Sequence, residues 1–302
     1  MNAPRDHHFM PVFLLKQWTG PEGKLIEFTI KSGKLIAKPV GPRSTGFEVD
    51  LYAFDELPPD VRQFVEEEFF NYADNIAAIA HERLLAHDLD DWSAELKSGW
   101  SRFVIGVHLR HPDAMPELRA GALSVWKASG KDAQLAYEAV RKPEHPATFD
   151  EYCEKNDPLV GVKVRANMVI ESFDNEILGK RINGMRWAVI DVSASPIRLL
   201  LSDRPVQISN LKEPSGIVSM PISPIKLFVA ANNPAAFDNL GHVKPRELVQ
   251  NINLFVAGRA RRFVWAQDEA QSRFIRRNMS KSLEPTPFFP GIGRYPPASL
   301  LP

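Results

Sequence analysis

The chain has a single cysteine, Cys153, among 302 residues, which excludes an internal disulfide and any Cys-x-x-Cys zinc or redox motif. It also lacks an excess of either charge. Lys plus Arg and Asp plus Glu number 37 each, so no global field draws the chain to nucleic acid or to an anionic membrane, and a polyanion must be held by a local patch. Nothing approaches the roughly 20 apolar residues of a membrane span. The opening residues include Arg5, Asp6, His7 and His8 with no apolar run of signal-peptide length behind them, and these features together predict a cytoplasmic protein without membrane contact. The Gly-x-Ser-x-Gly elbow, the Walker loop and the kinase triplet are missing, which removes the usual anchors of serine-hydrolase and P-loop chemistry. His81-Glu82 lacks the second zinc-protease histidine, because position 85 is Leu85.

What is present is ordinary globular material, 44% apolar and 25% charged, enough for a substantial core. The least generic run is residues 6–18, which places two imidazoles at the head of an apolar segment. If that run is extended, its side chains alternate, and His8 rather than His7 faces the interior with Met10 and Val12. Two β-rich segments, 24–30 and 34–40, flank Lys31-Ser32-Gly33 and predict a hairpin.

Helical spacing takes over at residue 59. Val61, Val65, Phe69, Tyr72, Ile76 and Ile79 recur every three or four residues, predicting a helix over 59–86 with Glu68 and Asn75 anomalously on its apolar stripe. Further helices are predicted over 91–109, 116–127, 131–140 and about 162–181, with a break at 142–147. Residues 185–192 and 197–201 lack the helical repeat and predict paired strands, followed by a strand at 226–231. Pro245 opens another helix, a strand is expected at 261–265, and a last helix at 267–280. From Ser282 onward the prolines leave an extended tail. The fold class expected is α+β: an N-terminal β-hairpin, a helical middle, and a small, mainly antiparallel sheet with closing C-terminal helices. Residues 1–281 form a single domain in this reading, with 282–302 as a Pro-rich tail.

Several short motifs recur in order: His7-His8-x-x-Pro11, Leu15-Lys16-x-Trp18, Arg110-x-Pro112, Leu201-Ser202-Asp203-x-Pro205-Val206 and Pro221-x-Ser223-Pro224, with Asn251 beyond them. This set resembles the bacterial DUF4238 family of domains of unknown function over roughly residues 7–280. That family commonly reads Ser-Asp-Asn-Pro at the internal motif, so Arg204 departs from the pattern and adds a cation beside Asp203. The resemblance implies the domain and no activity.

The residues themselves suggest a site in which His8, Asp203, Glu68 and Ser202 converge, with Arg110, Arg204 and Asn251 as binding groups. His8 and Asp203 would be ligands of a divalent metal or exchange a proton with water, as in metal-assisted, nuclease-like hydrolysis of a phosphodiester. The opposing reading gives each residue a structural role, with Glu68 paired with Arg110, Ser202-Asp203 capping a turn, and the protein a non-catalytic binding module. A basic stretch containing Arg259, Arg261, Arg262, Arg273, Arg276, Arg277 and Lys281, interleaved with Phe263, Trp265 and Phe274, would suit nucleic acid or another phosphate-bearing ligand. The tail would suit a protein partner.

Overall fold

The computed structural model describes residues 5–58, 71–285 and 287. The chain opens with β1 (Asp6–His8), a helical turn α1 (Val12–Leu15) and a 3-10 turn (Lys16–Trp18). The hairpin follows as β2 (Leu25–Lys31) and β3 (Lys34–Val40), with β4 (Phe47–Val49) returning antiparallel to β1. Ser32 and Gly33 both have positive φ, 49° and 75°, the backbone a two-residue hairpin loop requires. The alternation expected through residues 6–18 stops at His8. The N–H groups of Phe9 and Met10 both donate to Gly46 O, at 2.9 and 3.0 Å, and the chain turns into α1. His7 is therefore the fully buried imidazole and His8 the half-buried one, the reverse of the expectation.

The helical middle comprises α2 (Asn71–Leu85), α3 (Ala94–Leu109), α4 (Ala114–Ala128), α5 (Gly130–Val140), α6 (Phe149–Asn156), α7 (Val160–Phe173) and α8 (Glu176–Gly184). Of the helix predicted over 59–86, the first part, Glu68 included, lies outside the described residues. In the described part the packed stripe is Ala73, Ala77, Ala80 and Leu84, while Tyr72 and Ile79 are 55% and 57% exposed. Small side chains occupy this face because α3 approaches closely. A Cβ placed on Gly99 would lie 2.2 Å from Ile76 Cγ2. The helix expected through 162–181 is two helices, broken where the Asn175 side chain accepts from Leu178 N and caps α8. A capping box of Thr148 and Glu151 starts α6, a helix that the apolar spacing alone does not predict.

The remainder is β5 (Arg186–Asp191), β6 (Leu201–Ser202), β7 (Gln207–Ile208), β8 (Ile217–Ser223), β9 (Lys226–Ala231), α9 (Ala235–His242), α10 (Pro245–Arg259), β10 (Val264–Ala266) and α11 (Ser272–Asn278). The strands make two antiparallel sheets of four, β3-β2-β10-β6 and β5-β9-β8-β7. The pairing expected between 185–192 and 197–201 does not form. Leu199 N donates to Pro224 O and Leu200 N to Asn253 Oδ1, each at 2.8 Å, so this run crosses from one sheet to the other, and β5 pairs with β9 instead.

The fold is α+β, as expected. The N-terminal hairpin shares its sheet with the C-terminal β10, Phe28 opposite Val264. Trp18, Trp100 and Trp265 fill the core. Buried indole N–H groups need partners, and Trp18 Nε1 donates to Leu199 O at 2.8 Å and Trp265 Nε1 to Thr45 Oγ1 at 3.0 Å. Among the described residues no helix is long and apolar enough to cross a membrane.

The α2–α3 contact gives a direct test of packing. Gly99→Ala should lower the unfolding free energy in urea by about 1–2 kcal/mol, since overpacking outweighs the helix-propensity gain. In an Ile76→Ala background, where the clashing methyl is gone, the same substitution should be neutral or stabilising.

Candidate functional site

Antiparallel pairing of β6 with β10 sets Ser202 opposite Val264, so Asp203 lies against the chain that enters β10. Its carboxylate is buried there and accepts three consecutive backbone N–H groups. Oδ1 takes Arg261 N at 2.9 Å, and Oδ2 takes Arg262 N at 2.6 Å and Phe263 N at 3.2 Å. Asp203 N donates in return to Phe263 O at 3.2 Å. Burial pushes the carboxyl up to about 6, opposed by the three N–H donors, which favour the carboxylate. Ser202 Oγ, also buried, accepts from Arg204 N at 3.2 Å.

Among the other predicted site residues, His8, Arg110 and Asn251 go elsewhere, and Glu68 lies outside the described residues. His8 packs against the Phe47 ring at 5.5 Å, and its Nε2 is buried with no hydrogen-bond partner among the described residues. Burial lowers its pKa, opposed by Asp6 and reinforced by Arg110. Arg110 spreads two nitrogens over Asp74 Oδ1, each at 3.0 Å, and its expected pairing with Glu68 falls outside the described residues. Asn251 is exposed on α10. The structural asparagine is Asn253, two residues on: its Oδ1 accepts from Leu200 N, and its Nδ2 donates to Arg198 O at 2.8 Å and Gln271 Oε1 at 2.9 Å. Thus Ser202, Asp203, Arg204, Arg259 and Arg262 share one neighbourhood, and His8 and Arg110 share another. Among the described residues, no three His, Cys, Asp or Glu side chains are grouped to hold a metal ion.

The first neighbourhood is dominated by cations. By fixing the backbone at 261–263, Asp203 orients two arginines, and β6 delivers a third beside it. Arg204 Nη1 and Arg261 Nη2 both donate to Glu284 O, at 2.5 and 2.9 Å, and Arg259 Nη2 lies 3.0 Å from Glu284 Oε2. Arg261 also reaches Glu117 at 3.3 Å. Arg262 points away to Asp113 and Glu48, bridging α4 to β4.

Arg204 is 2% exposed. Among the described residues its Nε and Nη2 are buried without a hydrogen-bond partner, as are Nε of Arg259 and Nε of Arg261. Burial, then Arg259 and Arg261, lower the Arg204 pKa to about 10. Two buried histidines face the same charges: burial, then Arg259 and Arg204, bring His108 down to about 3, and burial, then Arg204, bring His111 down to about 2. Both rings are neutral at pH 7.

Sequence reasoning missed His108, His111 and Glu284, and took Arg261 only as part of a basic face. A signal was present, because His108 lies in the last turn of α3 and His111, three residues on, is the middle residue of the Arg110-x-Pro112 motif.

An α+β domain with arginines buried beside neutral histidines is the class of molecule this defines. The family described as "Protein of unknown function (DUF4238)" matches residues 6–270, and the chain belongs to it. Comparison with curated proteins and with solved structures gives no match.

Asp203→Ala, which leaves three N–H groups unpaired, should lower stability in chemical denaturation by about 3–5 kcal/mol, and Asp203→Asn by about 2 kcal/mol. The buried histidines predict the acid response. His81, held by its Nε2 to Ile222 O at 2.8 Å, is lowered by burial to about 4. A depressed histidine pKa means that the unfolded chain binds more protons, so stability is full above about 6.5 and is lost as the pH falls through the folded-state values. Asp203, raised, acts oppositely between about 4 and 6. Thermal melts at pH 7 and pH 5 should show acid destabilisation, and His81→Gln should reduce the difference.

Proposed function

We propose that this chain is a non-catalytic binding protein for a phosphate-bearing ligand, with Arg204, Arg259 and Arg261 as its anion-binding floor. The observation that carries this reading is the Arg204 guanidinium, buried among two other arginines with two of its nitrogens unpartnered. Burying such a cation costs free energy unless an anion compensates it. A phosphate supplies several acceptor oxygens and close to two negative charges, and the planar guanidinium fork matches its geometry. The exposed Arg273, Arg276 and Arg277 on α11 are a weaker basis for nucleic-acid contact, since each is already solvated.

The alternative is metal-assisted phosphodiester hydrolysis by His8, Asp203, Glu68 and Ser202. It would require Asp203 to give up backbone donors that occupy both its oxygens. Cys153 is an unpaired thiol, which burial pushes up to about 11, and an inert thiol of this kind suits a reducing cytoplasmic setting.

Calorimetric titration with inorganic pyrophosphate should show saturable binding that Arg204→Gln weakens by tenfold or more, while Arg276→Gln leaves it unchanged. No binding, or equal loss in both variants, would contradict the proposal. Metal-dependent cleavage of a phosphodiester that disappears in both His8→Ala and Asp203→Asn, with folding intact, would establish the hydrolase instead.

A further inference from the structure

Arg259, one of the three arginines of the floor, lines a cavity of about 600 Å3 together with His108 and Glu284. This volume lies within the range of small-molecule sites. Its other walls are mainly apolar, with Ile105 from α3, Leu178 and Ile182 from α8, and Ile208 and Leu211 from the chain at and beyond β7, although Arg181 and Lys212 also reach them. Hydrocarbon therefore faces most of the space beyond Arg259.

Glu284 sits where the two meet. The chain leading to it is fastened as far as Ser282, through Ser280 N to Ala257 O at 3.0 Å and Ser282 N to Gly258 O at 2.8 Å. Beyond Ser282, the described chain is held by hydrogen bonds and an ion pair only at Glu284. Pro285 and Pro287, which also line the cavity, have no N–H with which to fasten themselves. The Glu284 side chain is 60% exposed, whereas Arg259 beneath it is 8% exposed. The anion is thus at the surface and the cations are buried. A half-solvated carboxylate of this kind is held weakly; it meets Arg259, while the backbone carbonyl of the same residue meets Arg204 and Arg261.

We propose that the ligand is an amphiphile with an anionic phosphate head and an apolar body, and that Glu284, with Pro285 and Pro287, is an internal stand-in that this ligand displaces. The inference rests on the arginine cluster being a binding site. The head replaces the Glu284 carboxylate on Arg259 and its carbonyl on Arg204 and Arg261, gaining the unpartnered Arg204 nitrogens. The body enters between α3 and α8. Ligand and tail compete for the same cations, so removing the tail's charge raises affinity without altering the cavity.

The test is calorimetric titration of the full chain with inorganic phosphate and with butyl, hexyl and octyl phosphate below their micellar concentrations, using octanol as the uncharged control. Affinity should rise along the series by up to roughly fourfold per buried methylene, Glu284→Gln should tighten every phosphate by about threefold, and octanol should bind far more weakly than octyl phosphate. If inorganic phosphate binds in an Arg204-dependent way but affinity is flat along the series, or if Glu284→Gln changes nothing, this inference is overturned while the anion-binding reading stands. If no phosphate binds either the wild type or Glu284→Gln, or if octanol binds as well as octyl phosphate, both fall.

Discussion

The carboxylate of Asp203 and the three N–H groups it holds are the contact on which the rest of the site depends. A short strand such as β6, with two residues, has little ladder of its own. The Asp203 cap extends its hold on the chain entering β10, and β10 in turn pairs with β2 of the N-terminal hairpin. One buried side chain therefore joins elements about 60 residues apart and closes the sheet that unites the two ends of the domain. An Ala cannot substitute, because three aligned donors in a dry place need acceptors.

The same cap has an electrostatic consequence. With its backbone pinned, the 261–263 segment lays Phe263 on the core against Phe9, and Arg261 arrives beside Arg204 and Arg259. Burial chiefly, and these charges after it, keep His108 and His111 neutral, since both sit in a dry region that is already positive. Glu284 and Glu117 meet Arg259 and Arg261, while among the described residues Arg204 donates to a backbone carbonyl and has no carboxylate in ion-pair contact, Asp203 and Glu117 acting on it from farther off. That imbalance separates this cluster from an ordinary structural ion-pair network, in which each cation has its carboxylate.

Much of the architecture was legible in the sequence. The hairpin could be read because Ser32-Gly33 and its β-branched flanks are local signals, and Pro245 marked α10 by its missing N–H. The α2 face was misread because the stripe was chosen by side-chain size, whereas Ala73, Ala77 and Ala80 are buried by the close approach that Gly99 permits. The His7 and His8 assignment failed for a similar reason: alternation holds only while the chain stays extended, and Gly46 O turns it at Phe9. Asp203 stood out in the sequence by its motif, but the sequence could not reveal that its partners would be backbone groups nearly 60 residues away. Glu284 was hidden among prolines, since nothing local indicates that a tail residue will lie over three arginines.

The central claim is that Arg204, Arg259 and Arg261 act together on an anion, and the most direct measurement follows their Nε–H signals by 15N NMR during titration with inorganic phosphate. All three should shift along one saturable curve, while those of Arg273, Arg276 and Arg277 on α11 change only slightly and without saturation. Uniform, non-saturating shifts across all six arginines, or shifts confined to α11, would contradict it.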